Sequence, residues 1–431
     1  CVATAFSWIL LSIFGCMPFV ISGEIPSFTN ALFETISGFT TTGASILSDV
    51  ESMSHGMMLW RCFTHWIGGM GVLVFLLAII PMNSASGSNM NLMKAESPGP
   101  SVGKLVPRLK HTARILYVIY FGMTVLEVIF LMFGHMSLFD ALCTAFGTAG
   151  TGGFGIKNDS FGSFSPYIQW VVTVFMILFG VNFNFYYFVL FRNIRKALSM
   201  EEVRTYLLII LGAITIITLS LMQTMANIGD AIRHAAFQVA SIITTTGYAS
   251  ADFDQWSQTC KTVLVILMFV GACAGSTGGG MKVSRLVIMF KTVVKELSSY
   301  FHPKNIKKIN MDGKPVEHEV VRAVNVYFIT LMGIFTLSVF LVSLEGRDLV
   351  TNFTAVASCL NNIGPGLSEV GPTRNFGGLT GFTKYVLMFD MLAGRLELFP
   401  LLLIFNPGVY RDMIMGAWRG IKRRRQERRA N

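Results

Sequence analysis

Four short strings rich in threonine, asparagine and glycine contain the residues that could do chemistry. We call them the first to fourth strings: Thr40–Gly43, Gly150–Gly153, Thr244–Gly247 and Asn361–Gly364. Each follows a short segment of helical character and lies between two long apolar runs. Backbone carbonyls can replace the water shell of a cation, and glycine permits the conformations and close approach that such a site needs. One string alone would favour a tight loop between helices, but four in matching positions predict a cation selectivity filter.

The predicted cation ligands are three consecutive residues of each string. They are Thr41, Thr42, Gly43, Thr151, Gly152, Gly153, Thr245, Thr246, Gly247, Asn362, Ile363 and Gly364. Threonine favours an extended backbone, and its hydroxyl group can add to the ring of ligands. The fourth string has asparagine and isoleucine where the first and third have threonine, so the predicted pore can be only pseudo-fourfold.

The composition is that of a polytopic membrane protein. Hydrophobic residues make up 52% of the 431 residues and charged residues only 13%, whereas soluble domains average about 25% charged residues. The net charge of +10 comes from Lys and Arg between the apolar runs, which positive-inside bias explains better than nucleic-acid binding. The seven cysteines and seven histidines have neither disulfide nor metal-ligand spacing. The sequence shows no acid–base pair and no nucleophile triad at membrane depth that would indicate an enzyme.

The apolar pattern predicts an all-α polytopic membrane protein with four pseudo-repeated units around one central pore. Each unit consists of a span, a pore helix, a filter string and a second span. Units one to four are residues 1–80, 113–191, 205–297 and 320–410, and the cytoplasmic segments are 81–112, 192–204, 298–319 and 411–431. The second spans of units two and four are expected at about 166–191 and 382–405. Because Cys1 already lies in or beside an apolar run, we expect the natural chain to begin earlier.

The second span of unit three contains a glycine-rich run at 271–281, which we call the gate loop. Each glycine costs a helix up to about 1 kcal/mol relative to alanine, and irregular backbone at membrane depth survives only beside protein or water. The run therefore predicts a flexible loop beneath the filter, with a close-packed helix crossing as the alternative. The order of residues excludes a phosphate-binding loop. The predicted gate residues are Gly275, Gly278, Gly279, Gly280, Lys282 and Arg395.

Arg395 stands within the last apolar run, where an arginine costs about 2.5–3.5 kcal/mol and must meet a partner or water. We expect it to point at the pore below the filter, where it would contact carbonyls of the gate loop or limit the entry of cations electrostatically. The alternative is a structural ion pair with Asp390 or Glu397. Lys282 could stabilise the closed loop or extend to the membrane interface.

Five motifs carry a resemblance to a known family. They are Ser37–Ala44, Trp66–Gly71, Gly271–Lys282, Leu360–Leu367 and Gly394–Glu397. With them the chain resembles the membrane subunit of the bacterial Trk potassium-uptake system, within the Trk/Ktr/HKT superfamily. The resemblance implies a K⁺ filter, an intramembrane gating loop, and a homodimer on a ring of cytosolic nucleotide-binding regulatory subunits. It also implies a further pair of spans before the first unit.

The resemblance implies that K⁺ is the transported ion. Related sodium-preferring transporters have serine at the first filter glycine, whereas glycine stands at the end of all four strings here. We therefore expect K⁺ uptake across the bacterial inner membrane, with a cytoplasmic C-terminus. A K⁺ symporter coupled to H⁺ or Na⁺ is the alternative. The basic tail at 411–431 could contact anionic lipid or an acidic regulatory partner.

Overall fold

The structure is a computed structural model that describes residues 2–71, 109–301 and 308–408. It is mostly helical, as the sequence predicts, and the only sheet among the described residues is a two-stranded hairpin. The second half of the span predicted to end at residue 80, most of the segment 81–112 and the tail 411–431 lie outside the described residues. The cysteines that the structure describes are all buried and free.

Four long apolar helices provide the first span of each unit. They are α1–α2 (Val2–Gly15 and Met17–Ile21), α5 (Leu109–Phe133), α10 (Glu201–Leu221) and α14 (His318–Ser343). Each is long and apolar enough to cross a membrane. Many of their large apolar side chains are exposed, which suits a helix surface that faces lipid.

Four shorter helices precede the strings and correspond to the predicted pore helices. They are α3 (Phe28–Phe39), α6 (Leu138–Gly150), α11 (Ile228–Ile243) and α15 (Leu349–Leu360). Three of them begin at a polar side chain that caps a free main-chain N–H group, for example Asp348, which accepts from Thr351 N. The second pore helix continues to Gly150, so the first residue of the second string belongs to the helix.

The second spans of units two, three and four are broken, and that of unit one is described only as far as residue 71. They comprise α4 (His55–Gly69), α7 and α8 (Pro166–Phe179 and Phe183–Leu190), α12 and α13 (Gln258–Met268 and Val283–Phe301), and α16 and α17 (Gly381–Arg395 and Phe399–Leu402). The break in unit three was expected, but those in units two and four were not. The chain bends by 90° between α7 and α8. In unit four Glu397 and Leu398 have positive φ angles of 56° and 64°, which a helix cannot contain.

A short hairpin stands in the segment predicted as the cytoplasmic loop 298–319. Its strands are β1 (Asn310–Met311) and β2 (Lys314–Pro315), paired antiparallel. The turn residues Asp312 and Gly313 have φ angles of 50° and 75°, as a two-residue hairpin turn of the Asp-Gly type requires. A short helix, α9 (Ile194–Leu198), lies in the segment 192–204.

Candidate functional site

The four strings meet in a closed ring. In each string the last glycine lies against a main-chain carbonyl oxygen of the next string, and a Cβ atom there would come within 2.8 Å of that oxygen. The pairs are Gly43 with Gly152, Gly153 with Thr246, Gly247 with Ile363, and Gly364 with Thr42. We call these four glycines the glycine ring. Since no side chain fits at any of the four contacts, the ring explains why every string ends in glycine.

The strings share an unusual backbone. Each has two residues with positive φ, separated by one residue that lacks it. The first of the two is Thr41 (54°), Thr151 (53°), Thr245 (59°) or Asn362 (56°), and the second is the ring glycine. A left-handed conformation costs a residue other than glycine about 1–3 kcal/mol, and such strain concentrates at functional sites. In a regular strand successive carbonyls point to opposite sides, so the alternation of positive and negative φ shows that the strings are not regular strands.

Each of the four short helices ends directly before or within its string. Each helix is capped by the residue that begins or lies within its string, for example Thr40 and Thr244. The C-terminal end of a helix carries a partial negative charge, which stabilises a nearby cation. Main-chain carbonyls at the contacts between strings and the C-terminal ends of four helices beside them form an arrangement that can hold a dehydrated cation.

Asn362 links the fourth string to the first. Its amide nitrogen donates to Thr42 Oγ1 at 3.0 Å and to the Met391 carbonyl at 2.9 Å. Within the first and third strings, hydroxyl groups two residues apart are instead bonded to each other, Thr40 to Thr42 at 2.8 Å and Thr244 to Thr246 at 2.7 Å. The asparagine that replaces threonine at position 362 therefore provides a hydrogen bond between the fourth and the first string.

A buried ion pair that the sequence does not reveal connects the first pore helix to the residues that follow the first and second strings. Arg61 Nε donates to Glu34 Oε1 at 2.7 Å, and the two side chains are 2% and 0% exposed. Arg61 also donates to the Gly155 carbonyl at 3.0 Å, and its guanidinium lies 3.7 Å from the centre of the Phe154 ring. Glu34 accepts from Ile46 N at 2.9 Å. The signal for this ion pair in the sequence is that a glutamate and an arginine stand in two neighbouring apolar segments.

We expect Arg61→Met to destabilise the protein by about 3–5 kcal/mol, because it leaves the Glu34 carboxylate buried without its partner. The measurement is the midpoint of thermal unfolding in detergent. Arg233→Met is the matched control, since Arg233 pairs at 2.6 Å with Asp230 three residues earlier, whose side chain is 41% exposed, and pairs that reach solvent contribute about 1 kcal/mol or less. Equal shifts in the two variants would contradict the assignment.

His65 is a second buried support that the sequence analysis missed. Its Nδ1–H donates to the Gly38 carbonyl at 2.8 Å, and its Nε2 accepts from Phe154 N at 3.2 Å. A Cβ atom at Gly152 would come within 2.2 Å of the imidazole ring of His65. His65 therefore joins the first pore helix to the residue that follows the second string, and it fills the space next to Gly152.

The gate loop lies against the ends of the third and fourth strings that precede the ring. Gly279 N donates to Thr245 Oγ1 at 2.6 Å. A Cβ atom at Gly278 would come within 2.9 Å of the Thr244 carbonyl oxygen, and one at Gly279 within 2.9 Å of the Asn361 carbonyl oxygen. Gly275 and Gly280 have φ angles of 68° and 73°, so the loop is irregular and closely packed rather than a helix crossing.

Lys282 and Arg395 both donate to carbonyls of this region. Lys282 is buried and donates to the Gly278 carbonyl, so the alternative in which it extends to the interface is wrong. Arg395 donates to the Thr277 carbonyl at 3.1 Å and to the Gly69 carbonyl at 2.8 Å, and also to the Gly68 carbonyl. Arg395 thus connects the gate loop to the end of α4. Glu397, one of the carboxylates considered as its partner, forms an ion pair with Arg285.

On the other side of the ring, an open cavity of about 120 Å³ is lined by the four ring glycines and by the loops that follow the strings. In one of these loops Asn158 donates to Asp49 at 2.8 Å. This hydrogen bond lowers the pKa of the Asp49 carboxyl below its usual value, so the group is ionised at neutral pH. The cavity gives the ring an opening on the side opposite the gate loop.

Comparisons with known proteins agree with this geometry. The family model described as TrkH, cation transport protein, matches residues 1–414. The Trk system potassium uptake protein TrkH of Salmonella typhimurium is 35% identical over 414 residues, which cover 94% of this chain and 84% of the relative. TrkG of Escherichia coli, also named a Trk system potassium uptake protein, is 34% identical over 411 residues, with the same coverage.

A solved structure matches as well. The crystal structure of the potassium transporter TrkH from Vibrio parahaemolyticus superimposes with a TM-score of 0.82 at 32% identity, covering 94% of this chain and 84% of that one. These relatives are named as transport proteins and not as enzymes, in agreement with the sequence analysis. The family model and the identities together show that the chain belongs to the TrkH family of cation transport proteins.

Proposed function

We propose that this chain takes up K⁺ across the cell membrane through the ring of string carbonyls. The observation that carries the proposal is the closed order of contacts, in which each ring glycine seals against the next string. The relatives named as potassium uptake proteins support K⁺ as the ion. The three predicted ligands of each string form the filter, and the units 1–80, 113–191, 205–297 and 320–410 contribute one string each.

In this proposal the gate loop opens and closes the path beneath the filter. Its contacts with the Thr245 hydroxyl and the Asn361 carbonyl place it against the strings, so ions can pass only when it moves. The family membership supports a homodimer in the bacterial inner membrane whose loops are controlled by a cytosolic nucleotide-binding subunit. The basic cytoplasmic segments suit docking of such an acidic partner.

Rb⁺ uptake into proteoliposomes tests the proposal. We expect uptake down an imposed membrane potential that K⁺ inhibits and an equal concentration of Na⁺ does not, because four glycine-ended strings provide a carbonyl cage suited to the larger ion. Liposomes that carry the Gly247→Ser variant, in which the side chain would meet the Ile363 carbonyl oxygen at 2.0 Å, are the matched control. Uptake no faster than in empty liposomes, or equal inhibition by Na⁺, would contradict the proposal.

A K⁺ symporter is the second candidate, and one observation favours it. Two carboxylates, Glu127 and Asp390, are fully buried within α5 and α16. Ser338 Oγ donates to one oxygen of Asp390 at 2.7 Å, while its other oxygen has no hydrogen-bond partner among the described residues. Such carboxylates can carry protons in transporters. Unitary current steps in bilayer recordings support a channel, whereas uptake whose direction follows an imposed H⁺ or Na⁺ gradient supports symport.

A further inference from the structure

Glu202 is a buried carboxylate that the proposed filter and gate do not use. It is the second residue of α10, and its side chain is 3% exposed. Its Oε1 accepts from two main-chain groups, Ala274 N at 2.6 Å and Ser284 N at 3.1 Å. Its Oε2 accepts from the Asn182 side-chain amide at 3.3 Å. Hydrogen bonds from N–H groups to a carboxylate are among the stronger ones in proteins.

One of the two main-chain donors lies early in the gate loop, and the other follows the end of the loop. Ala274 lies early in the loop, and Ser284 lies at the start of α13, after the loop. A main-chain hydrogen bond also joins the two ends of the loop, since Val283 N donates to the Ala272 carbonyl at 3.0 Å. One carboxylate oxygen therefore binds both ends of the loop that covers the third and fourth strings. The loop cannot move away from the strings without breaking at least one of these bonds.

Asn182 extends this attachment to the break in unit two. It lies between α7 and α8, where the chain bends by 90°. Here Phe183 N donates to the Gly275 carbonyl at 3.0 Å, and Cys273 N donates to the Gly180 carbonyl at 3.0 Å. The unexpected break in α7–α8 thus provides main-chain partners for the gate loop, and Glu202 fixes the side chain at the bend.

The residue before Glu202 contacts the cytoplasmic hairpin. Glu201 forms an ion pair with Lys291 at 2.5 Å, and its main-chain N–H donates to Asp312 Oδ1 at 2.7 Å. Lys291 also donates to the Asn310 carbonyl at 2.7 Å. The first turn of α10 is therefore held on one side by the hairpin and on the other by the gate loop.

We propose that Glu202 is the positioning residue that holds the gate loop over the strings, and that displacement of the hairpin reaches the loop through Glu201 and Glu202. This inference rests on the proposed function, since it assigns regulation to the same conduction path. A regulatory subunit that pulls the hairpin would move the first turn of α10. The short bond from Ala274 N would then lengthen beyond hydrogen-bonding distance, which frees the loop.

Rb⁺ leak from proteoliposomes without any regulatory partner tests the role of Glu202. We expect Glu202→Ala to raise the leak per reconstituted protein roughly tenfold, the size of a typical coupling between two states. The K⁺/Na⁺ flux ratio stays unchanged, because the strings are untouched. Glu202→Gln keeps an acceptor oxygen and should give a smaller rise. Glu319→Ala is the matched control, because Glu319 is also the second residue of a first span but is exposed.

A leak equal to that of the wild type in Glu202→Ala, or a changed flux ratio, overturns the proposal. Hydrogen exchange of the amides in 271–284 gives a readout that does not depend on transport: Glu202→Ala should exchange faster there, and unchanged exchange overturns the proposal. If the wild type fails to transport Rb⁺ while exchange is faster in the variant, the proposed function fails and the positioning role of Glu202 stands.

The route from the hairpin is tested by a double-variant cycle. Asp312→Ala removes the contact with Glu201 N and should raise the leak by itself. If the hairpin acts through Glu202, Asp312→Ala should add nothing in the Glu202→Ala background, since coupled residues give non-additive effects. Independent, multiplicative increases in leak would overturn this route.

Discussion

Gly43→Ser is expected to lower the ratio of K⁺ to Na⁺ flux by at least about tenfold, which corresponds to about 1.4 kcal/mol of lost discrimination. The new Cβ atom would come 2.1 Å from the Gly152 carbonyl oxygen and 3.2 Å from its carbon. Gly43 also has a φ angle of 81°, which side chains rarely adopt. The first or second string must therefore shift, and the carbonyls that replace the water shell of K⁺ lose their common distance to the ion. The measurement is Rb⁺ against Na⁺ flux in proteoliposomes.

Gly23→Ser is the matched control for this experiment. Gly23 has a similar φ angle of 76°, but a Cβ atom there would meet nothing within 4 Å. The control shares the backbone strain of the variant and lacks its clash with a neighbouring string. If Gly43→Ser keeps the flux ratio of the wild type, or if Gly23→Ser changes it equally, the ring carbonyls are not the source of selectivity.

The sequence was sufficient to predict the strings, the pore helices and the first spans, because each depends on local information. A long apolar run predicts a span from its length alone, and α10 and α14 begin within four residues of their predicted starts. The repeated glycine indicated a close contact without showing which atom would be met. The structure supplies that atom, a carbonyl of the next string in every case.

The breaks in the second spans of units two and four could not be predicted in the same way. Hydropathy is equally high on both sides of Gly180–Asn182, so an apolar window passes through the bend. The bend is stabilised by partners from a distant segment, for example Gly275, whose carbonyl accepts from Phe183 N. Bonds of this kind depend on which units lie side by side, and sequence spacing within one helix does not contain that information.

The buried side chains that hold the strings and the gate loop in place could not be identified from the sequence for a related reason. Glu34 and Arg61 lie 27 residues apart in different helices, and His65 and Glu202 bind mainly to main-chain atoms, which every residue has. Arg395 was identified because a single positive charge in an apolar run is costly enough to require a partner. Its partners, three carbonyls from two units, became known only from the structure.

Arg395→Ala is expected to raise the Rb⁺ leak by at least about tenfold in the absence of a regulatory partner, because hydrogen bonds to a charged group contribute about 1.5–3 kcal/mol each. The guanidinium reaches the Thr277 carbonyl at 3.1 Å and the Gly69 carbonyl at 2.8 Å at once. Its loss disconnects the gate-loop segment from α4 and leaves these carbonyls without their donor. The closed position of the loop should therefore become less populated.

Arg395→Lys separates the charge of the side chain from its shape. An ammonium group is a compact point charge and cannot reproduce the planar fork of a guanidinium, so we expect a leak between those of the wild type and Arg395→Ala. Arg322→Ala, which removes an exposed arginine from α14, is the control and should leave the leak unchanged. A wild-type leak combined with a lower yield of Arg395→Ala would instead assign the arginine to folding. In that case the gate loop would be held by Glu202 and Lys282 without it, and the connection to α4 would have no part in closing the path.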